Sequence, residues 1–279
     1  MAEPACILIP AHNRRAVTLA CLAALRPAIV GGTWRIIVVD DGSTDGTGDA
    51  IRAEFPEVTL LRGDGQLHWT GAIARAMREV PRGATVFWLN DDCRPRPGAL
   101  ATLRDFLTHE PRAIAGPRCV EAASGAAVPT GFVGRETFFA AAGERRAVQG
   151  LSGFCVGIGA EAAAALGEPD AENFPHYAGD TAYTLRASRA GHPVVIVGDA
   201  VVELLDFGAG PPPIEARVRT GATLAEDWGR IFRATNSPCR LGTMRALLRL
   251  KYGPLAGTAI AVVRTVAWAV RFAVARTRH

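Results

Sequence analysis

With 279 residues, 49% of them hydrophobic and 21% charged, the chain can bury one large core, with or without an appendage, and is too apolar to be disordered. The net charge of +4 is mild and no basic run is interleaved with aromatics, so no nucleic-acid partner is expected. Six cysteines without CxxC or metal-ligand spacing suggest a reduced, cytoplasmic protein, and the N-terminus MAEPACILIP lacks the charged and long apolar regions of a signal peptide.

Residues 5–9 read as a short apolar strand that breaks at Pro10 into AHNRR. Val17, Leu19, Leu22, Ala24 and Leu25 mark one side of a helix expected to end before Pro27. A second buried strand covers 34–39 and runs into DDGSTDGT; a helix over 46–54 and a third strand over 58–61 follow. After RGDGQLHW, Thr70 is the expected N-cap of a helix reaching Glu79. Residues 85–89 are an apolar, β-branched and aromatic strand buried on both faces, followed by a helix over 98–107. Another strand is expected over 112–117. Residues 119–159, rich in Gly, Ala and Ser, suggest hairpins and a substrate-facing loop. Helices over 160–166 and 180–190, with Gly191 as a stop for the second, precede a last strand at 193–197. Pro211, Pro212 and Pro213 read as a stiff hinge before a helical tail with helices over 240–250 and from 254 onward. Strands alternating with helices at this spacing predict an α/β fold with βαβ units and a mainly parallel sheet.

Chemistry concentrates where two of these strands end. The strand at 85–89 stops at Asn90-Asp91-Asp92, and the strand at 34–39 stops at Asp40-Asp41-Gly42-Ser43. Open α/β sheets bind ligands at the carboxyl ends of their strands, and hard oxygen ligands there suit Mg²⁺ or Mn²⁺ entering with a phosphate-bearing substrate. Either acidic pair alone could be a turn that ends a strand. Two pairs in one sheet are costly unless a cation or ligand donor offsets them.

The motifs ILIPAHNR (7–14), VVDDGSTDGT, GDGQLHWTGAI and WLNDDCRPRPG, in this order, closely resemble the family 2 glycosyltransferases of GT-A fold, over about residues 5–205. WLNDD and HWTGA look most like the branch of rhamnosyl- and galactofuranosyltransferases. The resemblance implies a GT-A (Rossmann-like) catalytic domain over 1–210, with a nucleotide-sugar half (1–110) and an acceptor half (111–210), and a helical extension over 211–279. It implies a metal-dependent hexosyltransferase that moves a sugar from a nucleoside-diphosphate sugar to a hydroxyl of a glycan or lipid-linked acceptor, with inversion. Asp92 would ligate Mg²⁺ or Mn²⁺, and Asn90 or Asp91 would reach the sugar or ribose. Asp40 and Asp41 would hold the nucleoside. Pro10 and Ala11 would line the base pocket within the motif that also carries Asn13 and Arg14, and Arg62, Asp64 and Gly65 would border it. Trp69 would stand beside the diphosphate or sugar at a helix start, or merely pack on the sheet. Asp180 matches the second acid of the family's catalytic pair and would be the general base, or only a helix N-cap; Gly179 replaces the first acid. His176 and Tyr177 would meet the acceptor. The late His that completes the metal shell in many members is missing from 198–208, so Glu203 or Asp206 would substitute for it, or diphosphate and water would fill the shell.

From residue 254 the tail is apolar, but Arg264 and Arg271 interrupt it, which argues against a membrane span. Arg264, Arg271 and Arg278 form a stripe, with Trp268 and Phe272 expected to anchor the opposite side in a membrane interface; docking on the catalytic domain or on a homodimer partner is the alternative. The location expected is cytoplasmic, or peripheral on the inner face of the plasma membrane. Two competing functions are a sugar-nucleotide nucleotidyltransferase, whose Gly-rich loop and Lys near the first strand are missing here, and a non-catalytic nucleotide-sugar-binding protein.

Overall fold

A computed structural model describes residues 5–29, 34–205 and 212–277. Its parallel core consists of β1 (Ala5–Ala11), β2 (Trp34–Asp40), β3 (Thr59–Arg62) and β4 (Thr85–Leu89), in the order β4-β1-β2-β3. The connecting helices are α1 (Arg15–Ile29), α2 (Thr47–Glu54) and α3 (His68–Met77). Successive side chains in a strand face opposite sides, and both sides of this sheet are covered. Ile7, Ile9, Phe87 and Leu89 pack with α1 on one side, and Cys6, Leu8, Val86 and Trp88 pack with α3 on the other.

Beyond β4 the sheet becomes mixed. β5 (Cys93–Pro95), α4 (Ala99–His109) and β6 (Ile114–Glu121) come next, then the short strands β7 (Ala127–Val128), β8 (Gly131–Val133), β9 (Glu136–Phe138), β10 (Arg145–Ala147) and β11 (Gly150–Leu151). β12 (Cys155–Ile158), α5 (Ala160–Leu166), α6 (Gly179–Arg189) and β13 (Val194–Leu204) complete the body. β12 inserts antiparallel between β4 and β6, with Cys155 opposite Leu89. The start of β12 therefore lies at the same sheet edge as the end of β4, which brings the 152–154 loop to the strand ends of β1, β2 and β4.

Several expectations change. α1 runs through Pro27 instead of ending before it, because an exposed proline in the last turn removes only one backbone bond. α3 begins at His68, not after Thr70: the Asp41 carboxylate accepts the Leu67 and His68 N–H groups and does the work of a local cap. β13 extends to Leu204, since β5 pairs with its far end.

The tail contains a 3₁₀ turn (Ile214–Arg217), α7 (Leu224–Trp228), a π-helical turn (Gly229–Arg233), α8 (Leu241–Tyr252) and α9 (Pro254–Arg276). The hinge expected at 211–213 and the stripe residue Arg278 fall wholly or partly outside the described residues. Asp227, fully buried, is bonded by Arg219, Arg230 and Arg276, which ties the end of α9 to α7. Phe272 is buried against Trp228 and Phe232, and Trp268 packs on Phe232. They are the tail's own core and not a membrane anchor. The tail touches the body where Arg240 and Thr243 donate to the Asn173 carbonyl, at 3.1 and 2.9 Å, and Arg189 donates to the Lys251 carbonyl.

Candidate active site

A cavity of about 1020 Å³ opens at the strand ends of β1, β2 and β4. Of the residues singled out by sequence, it gathers Pro10, Ala11, Arg14, Asp41, Gly65, Trp69, Asn90, Asp91, His176, Tyr177 and Asp180 in its walls. Asn13, Asp40, Arg62, Asp64 and Asp92 are not among the residues lining it.

The split between Asp40 and Asp41 follows from the strand's alternation. Asp40 turns away toward the first turn of α2, where one oxygen accepts the Ser43 N–H and the other is buried without a hydrogen-bond partner. Asp41 faces the cavity, and its carboxylate accepts the N–H groups of Gly65 (2.8 Å), Leu67 (3.3 Å) and His68 (2.8 Å). Gly65 needs its positive φ of 85° to present that N–H. Asn13 sits behind this loop, accepting the Thr44 N–H and donating its own backbone N–H to Ser43. Arg62 and Asp64 are exposed beside it, the Asp64 carboxylate accepting the Gln66 N–H.

At the end of β4, Asn90 accepts the Trp69 indole N–H at 2.7 Å, and Trp69 stands edge-on to Trp88. Trp69 thus both lines the cavity and packs on the sheet. Asp91 is 3% exposed, accepts the Thr18 hydroxyl at 2.8 Å and pairs with Arg14 at 3.0 Å. Burial pushes its pKa up, against the pull of Arg14 and Thr18. Asp92 accepts both terminal nitrogens of the same Arg14, at 3.2 and 3.1 Å. One guanidinium therefore bridges the two acids. Among the described residues no group of three or more His, Cys, Asp or Glu is arranged to hold a metal. Glu203 is engaged by Arg96, and Asp206 lies outside the described residues. This donor set fits Mg²⁺ or Mn²⁺ that arrives with phosphate ligands, for which one or two carboxylates suffice.

Asp180 lies at the second position of α6; the N-cap is Ala178, so Asp180 is not the cap. Its carboxylate accepts the N–H of Thr181 at 2.6 Å and that of Gly153. Burial raises its pKa despite these donors. At Gly179, which stands in place of the first acid, a Cβ would lie 2.2 Å from the Thr70 hydroxyl oxygen and 2.9 Å from its methyl, so any side chain there forces the buried Thr70 to shift. His176 and Tyr177 stand beside His68, with ring centroids 4.7 Å apart for the first pair and 5.9 Å for His68 and His176. Burial, with the neighbouring His68, lowers the His176 pKa.

Sequence reasoning missed Thr18, which donates to the Asp91 carboxylate, and His12, a lining residue with Nδ1 2.6 Å from the Asp41 backbone carbonyl. It also missed Ser152, Gly153 and Phe154, and the tail residues Thr235 and Asn236 in the cavity wall. His68 bonds Thr235 at 2.7 Å. The polar cluster Thr235-Asn236-Ser237 before Pro238 was the available signal.

A mixed sheet carrying acids at its parallel strand ends, beneath a cavity of this size, is the architecture of the GT-A fold. The family model described as glycosyl transferase family 2 matches residues 6–157, more than half of the chain, and the protein belongs to that family. No curated protein matches its sequence. Among solved structures it is similar to GalNAc-T7 with UDP, GalNAc and Mn²⁺ (13% identity, TM-score 0.64, 88% of this chain and 48% of that one). It is similar also to the mannosyltransferase PcManGT from Pyrobaculum calidifontis in complex with GDP-Man and Mn²⁺ (17%, 0.58, 99% and 81%) and to S. aureus TarS (15%, 0.56, 73% and 37%). The chain thus spans about half of GalNAc-T7 and little more than a third of TarS; these likenesses support the fold.

Proposed function

We propose that this protein is an inverting, metal-dependent hexosyltransferase that uses a nucleoside-diphosphate sugar of the rhamnose or galactofuranose type. The acceptor is a hydroxyl of a glycan or lipid-linked glycan, as in cell-wall or polysaccharide assembly. Residues 1–210 are its catalytic domain and 211–279 a helical extension. The observation that carries this reading is the meeting of Asp41, Asn90, Asp91 and Asp180 in one cavity.

Asp41 keeps one carboxylate position open, because three of about four lone-pair sites are taken by backbone N–H groups. That position accepts an N–H or hydroxyl of the nucleoside, while Pro10 and Ala11 wall the base pocket. Asn90, fixed by Trp69, meets the sugar or ribose. Mg²⁺ or Mn²⁺ would be held by Asp92, beside Asp91 in the cavity wall, and would supply neutralisation of the charge developing on the diphosphate. Arg14 must then move off Asp92 and is placed to follow the diphosphate. Asp180 takes the proton of the acceptor hydroxyl, and a single base with one displacement inverts the anomeric centre; such help is worth about 10²–10⁴ in rate. The raised pKa favours this role, since the carboxylate is a stronger base than one in water. Thr235 and Asn236 close the acceptor side together with His176 and Tyr177.

The outward face of α9, with Leu255, Val263, Val266 and Val270 exposed, suits a protein peripheral to the inner face of a plasma membrane. The test is to screen UDP-, dTDP- and GDP-sugars for binding and for metal-dependent release of nucleoside diphosphate. Asp180→Asn should bind donor as the native chain does and lose transfer by orders of magnitude. If no nucleotide sugar binds, or if Asp180→Asn transfers normally, the proposal fails.

A further inference from the structure

A second cavity, of about 700 Å³, lies away from the strand ends between α6, residues 170–174 and α8. Arg186, Arg245 and Arg249 line it, with Asp170 as the one acid, and Asp170 is occupied by the Asn173 N–H groups. Arg245 and Arg249 lie one turn apart on α8, are exposed, and among the described residues have no carboxylate partner. Arg186 is held in place by the Leu166 and Glu168 carbonyls, its guanidinium 5.2 Å from the centre of the Tyr183 ring. Tyr183, also in the wall, is 2% exposed, and its hydroxyl has no hydrogen-bond partner. Three guanidinium groups against the single Asp170 carboxylate leave the cavity with a surplus of positive charge, and a planar fork of donors matches a phosphate.

The cavity's rim includes Pro254, the first residue of α9. α8 and α9 meet closely: a Cβ on Gly257 would stand 2.4 Å from the Leu248 carbonyl oxygen, so the basic face of α8 and the apolar face of α9 are fixed to each other. α9 has a mean hydropathy of 1.5 over eighteen residues with 17% of them buried, and Leu255, Val262, Val263, Val266, Val270 and Val274 are exposed along it. A cavity lined by three arginines and bordered by the first residue of an exposed apolar helix matches one chemistry, an anionic headgroup on acyl chains. We infer that this cavity binds the phosphate of an anionic phospholipid and sets the orientation of the catalytic domain on the membrane, an inference that rests on the reading of α9 as a membrane-surface helix.

The test is co-sedimentation of the full chain with phosphatidylcholine vesicles, with and without phosphatidylglycerol. The native chain should prefer the anionic vesicles at least tenfold. Each charge at the surface is worth about a fivefold change, so Arg245→Ala/Arg249→Ala should lose about 25-fold on anionic vesicles. The charge-matched control Arg82→Ala/Arg135→Ala, on exposed positions elsewhere, should lose much less. Equal losses in the two pairs would mean diffuse attraction and overturn the site. Should the alanine pair melt abnormally, Arg245→Lys/Arg249→Lys keeps the charges and removes the forks, and full retention of binding by it would also overturn the site. Inorganic phosphate that binds the native chain, with vesicles ignored, would assign the cavity to a soluble phosphate and overturn the lipid. Val263→Asp/Val266→Asp should abolish binding to all vesicles; if it does not, the membrane reading of α9 falls. Calorimetry of nucleotide-sugar binding to the native chain judges the glycosyltransferase reading independently.

Discussion

Replacing Gly153 by alanine tests the role of Asp180 while leaving the acid itself in the chain. A Cβ at 153 would stand 2.7 Å from Asp180 Cβ and 2.8 Å from one of its oxygens. Ordinary contact begins at 3.4 Å, so the acid must retreat by about 0.7 Å, and the Gly153 N–H bond to it is lost or bent. Misplacing a reacting group by about 1 Å costs on the order of 10² in rate, so kcat for transfer should fall between tenfold and a hundredfold. The lost N–H donor had favoured the carboxylate, so the Asp180 pKa, already raised by burial, should rise further. The sign follows directly: the base is active above its pKa, and the acid limb of the kcat–pH profile should move to higher pH. Donor affinity, read by calorimetry, should stay within about twofold, since donor contacts are assigned to the ends of β1, β2 and β4. Unchanged kcat with an unchanged pH profile would refute the assignment of Asp180 as base. A loss confined to donor affinity would refute it as well.

Gly179→Ala should destabilise the fold by about 1–3 kcal/mol through collision with Thr70, and Thr70→Ala in the same chain should recover most of it; chemical denaturation of the two singles and the double measures the coupling, and additive losses would sink the argument. Arg14→Gln should free Asp91 and Asp92, so Mn²⁺ alone, followed by electron paramagnetic resonance, should bind about tenfold more tightly, a change of about 1.4 kcal/mol; unchanged or weaker binding contradicts the clamp. Asp227→Ala leaves three partly exposed arginines without their shared partner and should cost about 1–3 kcal/mol, visible as a lower melting temperature. Burial opposes the charge of Asp227, but bonds from Arg230 and Arg219 win and hold its pKa at about 2. Its contribution to stability is therefore complete above the ordinary carboxylate pKa and is lost as pH falls toward 2, so the melting curves of native and Asp227→Ala proteins should converge in acid.

The strand at 85–89 was legible because a β-branched threonine and four apolar residues followed by Asn-Asp-Asp, Pro and Gly can be little else, and the run of four motifs carried the family. The helix at 160–166 was readable for the same local reason. Legibility stops where a partner distant in sequence decides. Thr70 has the chemistry of an N-cap, yet the Asp41 carboxylate, arriving from β2, starts the helix at His68. Trp268 and Phe272 lie on a helix apolar nearly all round, and only the packing of α7 and the π-helical turn against it chose which side is buried.

The pair Asp40-Asp41 marks the boundary most clearly. Sequence alone determined that two acids end this strand beside a ligand-binding edge. It could not determine which acid faces the ligand, because neighbours in a strand point to opposite sides of the sheet. Which side is cavity and which is α2 depends on the right-handed crossovers that lay the helices down, and on β12 closing antiparallel beside β4. The Gly153 N–H and the Asp180 carboxylate, 27 residues apart in sequence, become neighbours by the same closure.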